Sequence, residues 1–295
     1  MPTVAITQDI EFIGQAIFDA LDALDLENAF TGRLVAIHPN DTAATPDNIS
    51  GVTHADTLQA VIRFIKGHNP RHIVVSGGAG ASQTEDVFNY TGMMEVIRRE
   101  GVEFFDHNHA PFQEITLESG PQRTIMVNPH ILQYETIVSL AQLKLHETAT
   151  VTLSMKNIAM SFPAADYYGH PRESQTYHRH NMFGDMQEFI PAMVQRFPPD
   201  LAIIVGHPAM VGTGPLGGIP VETGLVIASR VFVAADAAGA ELFGFDMQGV
   251  RHIFEAHRKG LGDGRVSAMT FPRMSLSDAI QAFTRLVYAQ EKVWA

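Results

Sequence analysis

The sequence predicts an α/β protein with a mixed, mainly parallel sheet flanked by helices. Three observations predict it. Short apolar runs (LVAI, IVVS, VEFFD) alternate with segments whose apolar residues recur at helical spacing, the pattern of βαβ units. The last third returns to this alternation after LAIIV. No internal repeat, low-complexity tract or clean linker divides the 295 residues. Residues 1–295 therefore read as a single domain, of one or two lobes.

The elements follow in order. TVAIT (3–7) reads as a strand, and EFIGQAIFDALDALD (11–25) as a helix with one apolar face. LVAI (34–37) is a strand closed by His38-Pro39-Asn40, and DTLQAVIRFIK (56–66) a helix. IVVS (73–76) is a strand entering Gly77-Gly78-Ala79-Gly80. Residues 86–100 read as a helix and VEFFD (102–106) as a strand. Residues 114–117 and 124–127 pair as a hairpin through Ser119-Gly120-Pro121. Residues 136–143 read as a strand. Residues 161–181 form a long polar and aromatic loop, and such loops in compact domains are often functional. A helix over 182–196 follows, with Asn181 as its expected cap. LAIIV (201–205) is a strand, residues 206–218 a Gly/Pro-rich loop, and 225–229 and 231–234 strands. Residues 236–243, 250–259 and 277–288 are helices.

Composition excludes several functions. A formal charge of −12 with no basic patch argues against nucleic acid and against anionic membranes. The absence of cysteine removes disulfides, thiol nucleophiles, cysteine-ligated zinc and iron–sulfur clusters. With no signal-peptide pattern and no apolar span free of Gly and Pro, a cytoplasmic protein is expected. Gly-x-Ser-x-Gly and His-Glu-x-x-His are both missing.

What remains is a polar cluster on apolar scaffold. QLKLHETATVTLSMKN (142–157) places Lys144, His146, Lys156 and Asn157 around a strand end. Ligands in open α/β sheets bind outside the carboxyl ends of strands, and His38 and His146 both stand at such ends. Neutral imidazole suits Zn, Fe, Ni or Cu, so His38, His146, His178 and His180 are candidate ligands, with Asp106 or Asp185 completing the shell. Each taken singly is more readily a solvated or hydrogen-bonded loop histidine. A desolvated lysine can bind an anion or act as a base, which makes Lys144 and Lys156 catalytic candidates beside Asn157. Thr53, His54, Gly78, Gly212 and Gly214 are candidate substrate contacts, the glycines through free backbone N–H groups. Gly212 to Gly217 fits G-x-G-x-x-G by spacing alone, because Pro215 intervenes and no helical period follows. Asp106-His107-Asn108-His109 reads as a polar turn.

Several segments resemble the DUF362 family, some members of which carry an added iron–sulfur module. QLKLHETATVTLSMKN is similar to the family's Lys-x-His, apolar stretch and Lys-Asn pattern. DLAIIVGHPAMVGTGPLGGIPVETGLVIAS with VAADAAGAELFGFD, and THADTLQAVIRFIK leading into SGGAG, match further segments, as does Tyr177-His178. The likeness spans about residues 33 to 262. The family's Lys-Pro-Asn is here His38-Pro39-Asn40, and Val205, Val211 and Val231 stand where it tends to carry carboxylates. The resemblance favours a role for the lysines and implies that the usual site is altered.

The expectation is an enzyme acting on a small anionic organic substrate. A histidine-bound divalent metal (Zn, Fe, Mn or Ni) would polarise a carbonyl or carboxylate while lysine or histidine moves the proton, in lyase, isomerase or hydrolase chemistry. The alternative is a non-enzymatic metal or small-ligand binding protein. A redox partner would need a flavin or haem that no motif calls for.

Overall fold

The computed structural model describes residues 1–170, 172 and 183–288. His178, His180, Tyr177 and Asn181, named above, lie outside the described residues.

The chain runs β1 (Ala5–Gln8), α1 (Ile13–Asp22), β2 (Leu34–Pro39), α2 (Ala55–Lys66), β3 (His72–Gly77), α3 (Thr84–Tyr90), α4 (Met93–Glu100) and β4 (Glu103–Asp106). The hairpin β5 (Gln113–Thr116) and β6 (Thr124–Val127) precedes β7 (Thr136–His146), β8 (Thr150–Thr152), α5 (Ser154–Ser161) and α6 (Met186–Arg196). Then come β9 (Leu201–Val211), β10 (Ile219–Val221), β11 (Leu225–Ser229), α7 (Phe232–Leu242), α8 (Arg251–Arg258) and α9 (Leu276–Tyr288).

Seven strands line up as β1-β11-β9-β7-β2-β3-β4, with β8 paired to β7 and β10 to β9. The run β9-β7-β2-β3-β4 is parallel, and β11 is antiparallel to β9 and to β1. The mixed, mainly parallel α/β fold is thus the one the alternation predicts.

Side chains alternate between two cores, as strand pleating demands. Val138 and Leu140 of β7, with Leu201, Ile203 and Val205 of β9, face α1, α2 and α4. Ile137, Ala141 and Leu143, with Ala202 and Ile204, face α5 to α9. A parallel sheet covered on both faces must be apolar throughout, which is why these strands read as continuous hydrophobic runs.

Four sequence readings are corrected. The helix expected over 86–100 is two, because Gly92 adopts φ +75 and breaks the path between α3 and α4. The strand expected to end at Val205 continues to Val211, since β10 folds back as its partner. Of the stretch 231–234, Val231 caps α7 and the rest lies in it, and the residues of that helix are buried except at Glu241. And α6 starts at Met186, capped by Asp185, whose Oδ1 accepts from Gln187 N at 2.9 Å.

Chain order positions the site. From β2 the chain moves outward through β3 to β4; it then returns to the other side of β2 and continues from β7 to β9. The switch therefore falls between β2 and β7, where the loops leaving their carboxyl ends part and open a crevice.

Candidate functional site

Lys144 sits at that switch, fully buried. Its Nζ donates to Asn40 Oδ1 at 2.7 Å and to the Gly51 carbonyl at 2.6 Å. Asn40, just past β2, donates from Nδ2 to Asn157 Oδ1 at 3.0 Å. Asn157, on α5, donates onward to the His38 carbonyl at 3.0 Å and to Ser139 Oγ at 3.2 Å. Thr53 closes the loop: its Oγ1 accepts from Asn40 N at 2.9 Å, and its N–H donates to the Asn40 carbonyl at 2.8 Å. Lys144, Asn157 and Thr53, singled out from sequence, are thus joined through Asn40. Burial, then the nearby Lys156, pull the Lys144 amine well below the usual lysine range.

Lys156 is buried as well, and burial pulls it down to about 7. Among the described residues its ammonium has no hydrogen-bond or ion-pair partner. A buried amine so placed spends half its time neutral near pH 7.

Asp41 follows Asn40 and is buried. Its Oδ2 accepts from Gly78 N at 2.8 Å, while Ala79 N donates to Thr84 Oγ1 at 3.2 Å. The first glycine loop therefore holds a carboxylate of the protein itself, so Gly78 N–H is not free for a ligand. Burial pushes the Asp41 carboxyl up to about 7, against the Gly78 N–H, which favours the charged form. Gly78 must be glycine, because a Cβ there would stand 2.0 Å from His107 Nε2.

The two described histidine candidates, His38 and His146, do not meet. His38 pairs with Ser139 in the β2–β7 register, and His146 lies seven residues farther along β7, on the order of 20 Å away. His146 Nδ1 accepts from Thr148 N at 3.0 Å and Ala149 N at 3.1 Å, so it braces the β7–β8 turn. His38 packs instead beside His107, with ring centroids 5.7 Å apart. Its Nδ1 donates to the Ser76 carbonyl at 2.6 Å, and burial, then His107, hold it neutral, down to about 3. The described metal candidates, His38 and His146, thus share no shell, and Asp106 and Asp185 are engaged elsewhere. His107 and Asn108, read as an open polar turn, are fully buried. His107 receives from Ser76 Oγ at 2.9 Å and donates to the Ser161 carbonyl at 3.0 Å. Asn108 donates to the Ala79 carbonyl at 3.0 Å and accepts from Ala165 N at 3.0 Å.

Sequence reasoning missed three groups: Asn40, Asp41 and His207. Asn40 and Asp41 had a signal, since they directly follow the His38-Pro39 strand end. His207 was hidden in a run read as loop. It sits on β9 between Asp56 Oδ2 at 2.9 Å from Nε2 and Glu222 Oε1 at 2.9 Å from Nδ1. The two carboxylates, Asp56 first, favour its charged form and raise it to about 10. His54, before α2, stacks edge-on to it with centroids 5.5 Å apart.

A cleft of about 550 Å³ opens beside the switch. Ser82, Thr45, Asn48, Glu147 and Thr213 supply its polar groups, and Gly51 and Gly214 bring backbone to its wall. The Gly51 carbonyl is the one that accepts from Lys144. Gly214 admits no side chain, since a Cβ would meet the Leu145 carbonyl at 2.0 Å. Gly212 takes φ +78 in the turn after β9.

Fold and site together define a mixed, mainly parallel α/β protein with a buried lysine–amide network at its topological switch. The chain belongs to the family described as a domain of unknown function (DUF362), whose model matches residues 35–241. It is 22% identical over 244 residues to a thylakoid-associated protein of Synechocystis sp., covering 82% of this chain and 72% of that protein. A crystal structure of a Thermotoga maritima protein is similar with a TM-score of 0.47 at 13% identity. That match covers 80% of this chain and 59% of the other. Among the described residues no helix is long and apolar enough to cross a membrane.

Proposed function

We propose that this chain is an enzyme that binds a small anionic organic molecule at the carboxyl ends of β2 and β7 and moves a proton in it. The observation that carries the reading is Lys156, a buried amine held near pH 7 with no partner among the described residues. Burying an unpaired amine costs stability, and such costs concentrate where chemistry needs them.

In this reading the neutral amine of Lys156 is the base. It accepts a proton from the substrate and becomes ammonium, which then stands beside the negative charge left behind. The cleft beside the switch offers neutral donors for the substrate's carboxylate or phosphate in Ser82, Thr45, Asn48 and Thr213. Lys144, Asn40 and Asn157 keep the strand ends and α5 in register, so that Lys156 is presented at a fixed position. Asp41, raised to about 7 by burial, is a second buried group able to carry a proton, next to Asn40 at the end of β2. The reaction class that fits is lyase or isomerase chemistry next to a carboxylate.

The test is solvent exchange. Parent and Lys156→Met proteins are incubated in D₂O with a panel of small keto, hydroxy and amino acids and read by proton NMR. Exchange at a carbon-bound proton by the parent, lost in the variant, is expected. Binding of panel members with no exchange at any of them would contradict the enzyme and support a small-ligand binding protein.

A further inference from the structure

We infer that His54, Asp56 and His207 form a site for a divalent transition metal, with Glu222 holding His207 from behind. One ligand atom from each of the three lies within 4.8 Å of the others. The site is separate from the Lys156 reading, and each can fail without the other.

Each element delivers its group by geometry fixed in the fold. His54 ends the loop that leaves β2, and Asp56 lies in the first turn of α2. His207 lies in β9 between Val205 and Met210, where the register with β7 shifts. Glu222 follows β10, which pairs back on that same stretch. Three chain segments far apart in sequence are thus brought to one place.

The two ring nitrogens of His207 face different partners. Nε2 faces Asp56 at 2.9 Å, and Nδ1 faces Glu222 at 2.9 Å but off the line of a hydrogen bond. Histidines that ligate metals usually present their other nitrogen to a carboxylate or a backbone carbonyl, which fixes tautomer and ring orientation. His207 has Glu222 in that position. His54 has the Ile49 carbonyl, 3.3 Å from its Nε2, which leaves Nδ1 as its lone-pair nitrogen. Both imidazoles therefore carry the outer partner that a metal site requires.

Distances also fit. Ligand atoms in a tetrahedral shell with bonds of about 2.0–2.1 Å stand about 3.3 Å apart. The Nε2–Oδ2 separation of 2.9 Å needs only a few tenths of an ångström of opening, on a carboxylate that is exposed. Two imidazoles and one carboxylate leave coordination positions open, the donor set of Zn, Fe(II) or Mn sites that take water or a ligand oxygen. Asp56 and His207 also line a second cleft, of about 490 Å³, together with Asp9 and Glu11. Three of its eight lining residues, Asp9, Glu11 and Asp56, carry carboxylates, which favour a cation over an anion there.

Tag-free full-length protein, stripped with chelator, is titrated with Zn²⁺ and with Co²⁺, whose visible absorption reports imidazole and carboxylate ligation. One equivalent is expected to bind. His54→Ala and His207→Ala should each weaken binding by about 100-fold or more, and Glu222→Gln by about 10–100-fold. Circular dichroism checks that each variant folds; Asp56→Asn, at an exposed position, serves if His207→Ala does not. The inference is overturned if the parent binds neither ion at millimolar concentration. It is equally overturned if the folded variants bind as tightly as the parent.

Discussion

Lys144 and Asn40 meet at 2.7 Å, amine against amide oxygen, across the boundary where the chain reverses its progress through the sheet. Neither side chain reaches solvent. Asn40 serves both neighbours at once, accepting from Lys144 and donating to Asn157. Asn40→Ala therefore takes one of two acceptors from the buried amine, leaves the buried Asn157 amide oxygen without its donor and opens a void. Lys144→Met removes the amine itself and fills its volume. Asn40→Ala should cost more stability than Lys144→Met, by on the order of 1 kcal/mol, in urea unfolding.

Stability should carry the signature of Lys156. Its proton affinity is lower in the folded chain, about 7 against 10.5. Between those values the unfolded chain holds a proton that the folded chain lacks, so this group makes stability rise with pH from about 7 to 10.5. Below that window the folded protein bears the full cost of the buried charge. Lys156→Met should be stabilising at pH 6, with the advantage shrinking as pH approaches 10. Unfolding curves of both proteins across pH check this.

Two glycines of one loop should respond in opposite ways to a methyl group. At Gly78 a Cβ would lie 2.0 Å from His107 Nε2 and 2.4 Å from Ser161 Oγ, both buried and hydrogen-bonded. At Gly80 nothing lies within 4 Å. Gly78→Ala should lower stability by about 3 kcal/mol or prevent folding, and Gly80→Ala should leave it nearly unchanged. Thermal melting distinguishes the two.

Asp236 of α7 caps a helix distant in sequence. Its Oδ1 accepts from Ser154 N at 2.8 Å and its Oδ2 from Met155 N at 3.0 Å, at the start of α5. The Leu153 side chain before that helix makes no cap bond of its own. Asp236→Ala should cost on the order of 3 kcal/mol, and Asp236→Asn less, since one oxygen acceptor survives. Because α5 carries Lys156 and Asn157, solvent exchange in the D₂O assay should fall as well.

What was legible in the sequence is what local periodicity encodes. The β2–α2–β3 unit, the β5–β6 hairpin and α8 came from spacing alone, and the family resemblance placed Lys144, Lys156 and Asn157 together. Pairing across long separations was not legible. Nothing in GHPAMV states that β10 will extend β9 through it, so His207 read as a loop residue. VFVA has strand composition, yet burial on all sides made it the start of α7. Asp106-His107-Asn108-His109 read as a polar turn because its composition is polar, but its two central side chains turn inward, where Ser76, Ser161 and Ala165 satisfy His107 and Asn108. His38 and His146 each end up at a strand end, as read. However, β7 outruns β2, and that difference in length separates them.

The central claim is that Lys156 is a neutral amine that a small molecule can reach. It is tested most directly by competitive acylation of the folded protein with a small reagent, read by peptide mass spectrometry across pH. Lys66 and Lys259, both exposed, are the internal reference. The account predicts that Lys156 is labelled ahead of them at pH 7.5, with a midpoint near 7. A Lys156 that stays unlabelled until the protein unfolds, or that reacts only with the surface lysines as pH rises further, would contradict it.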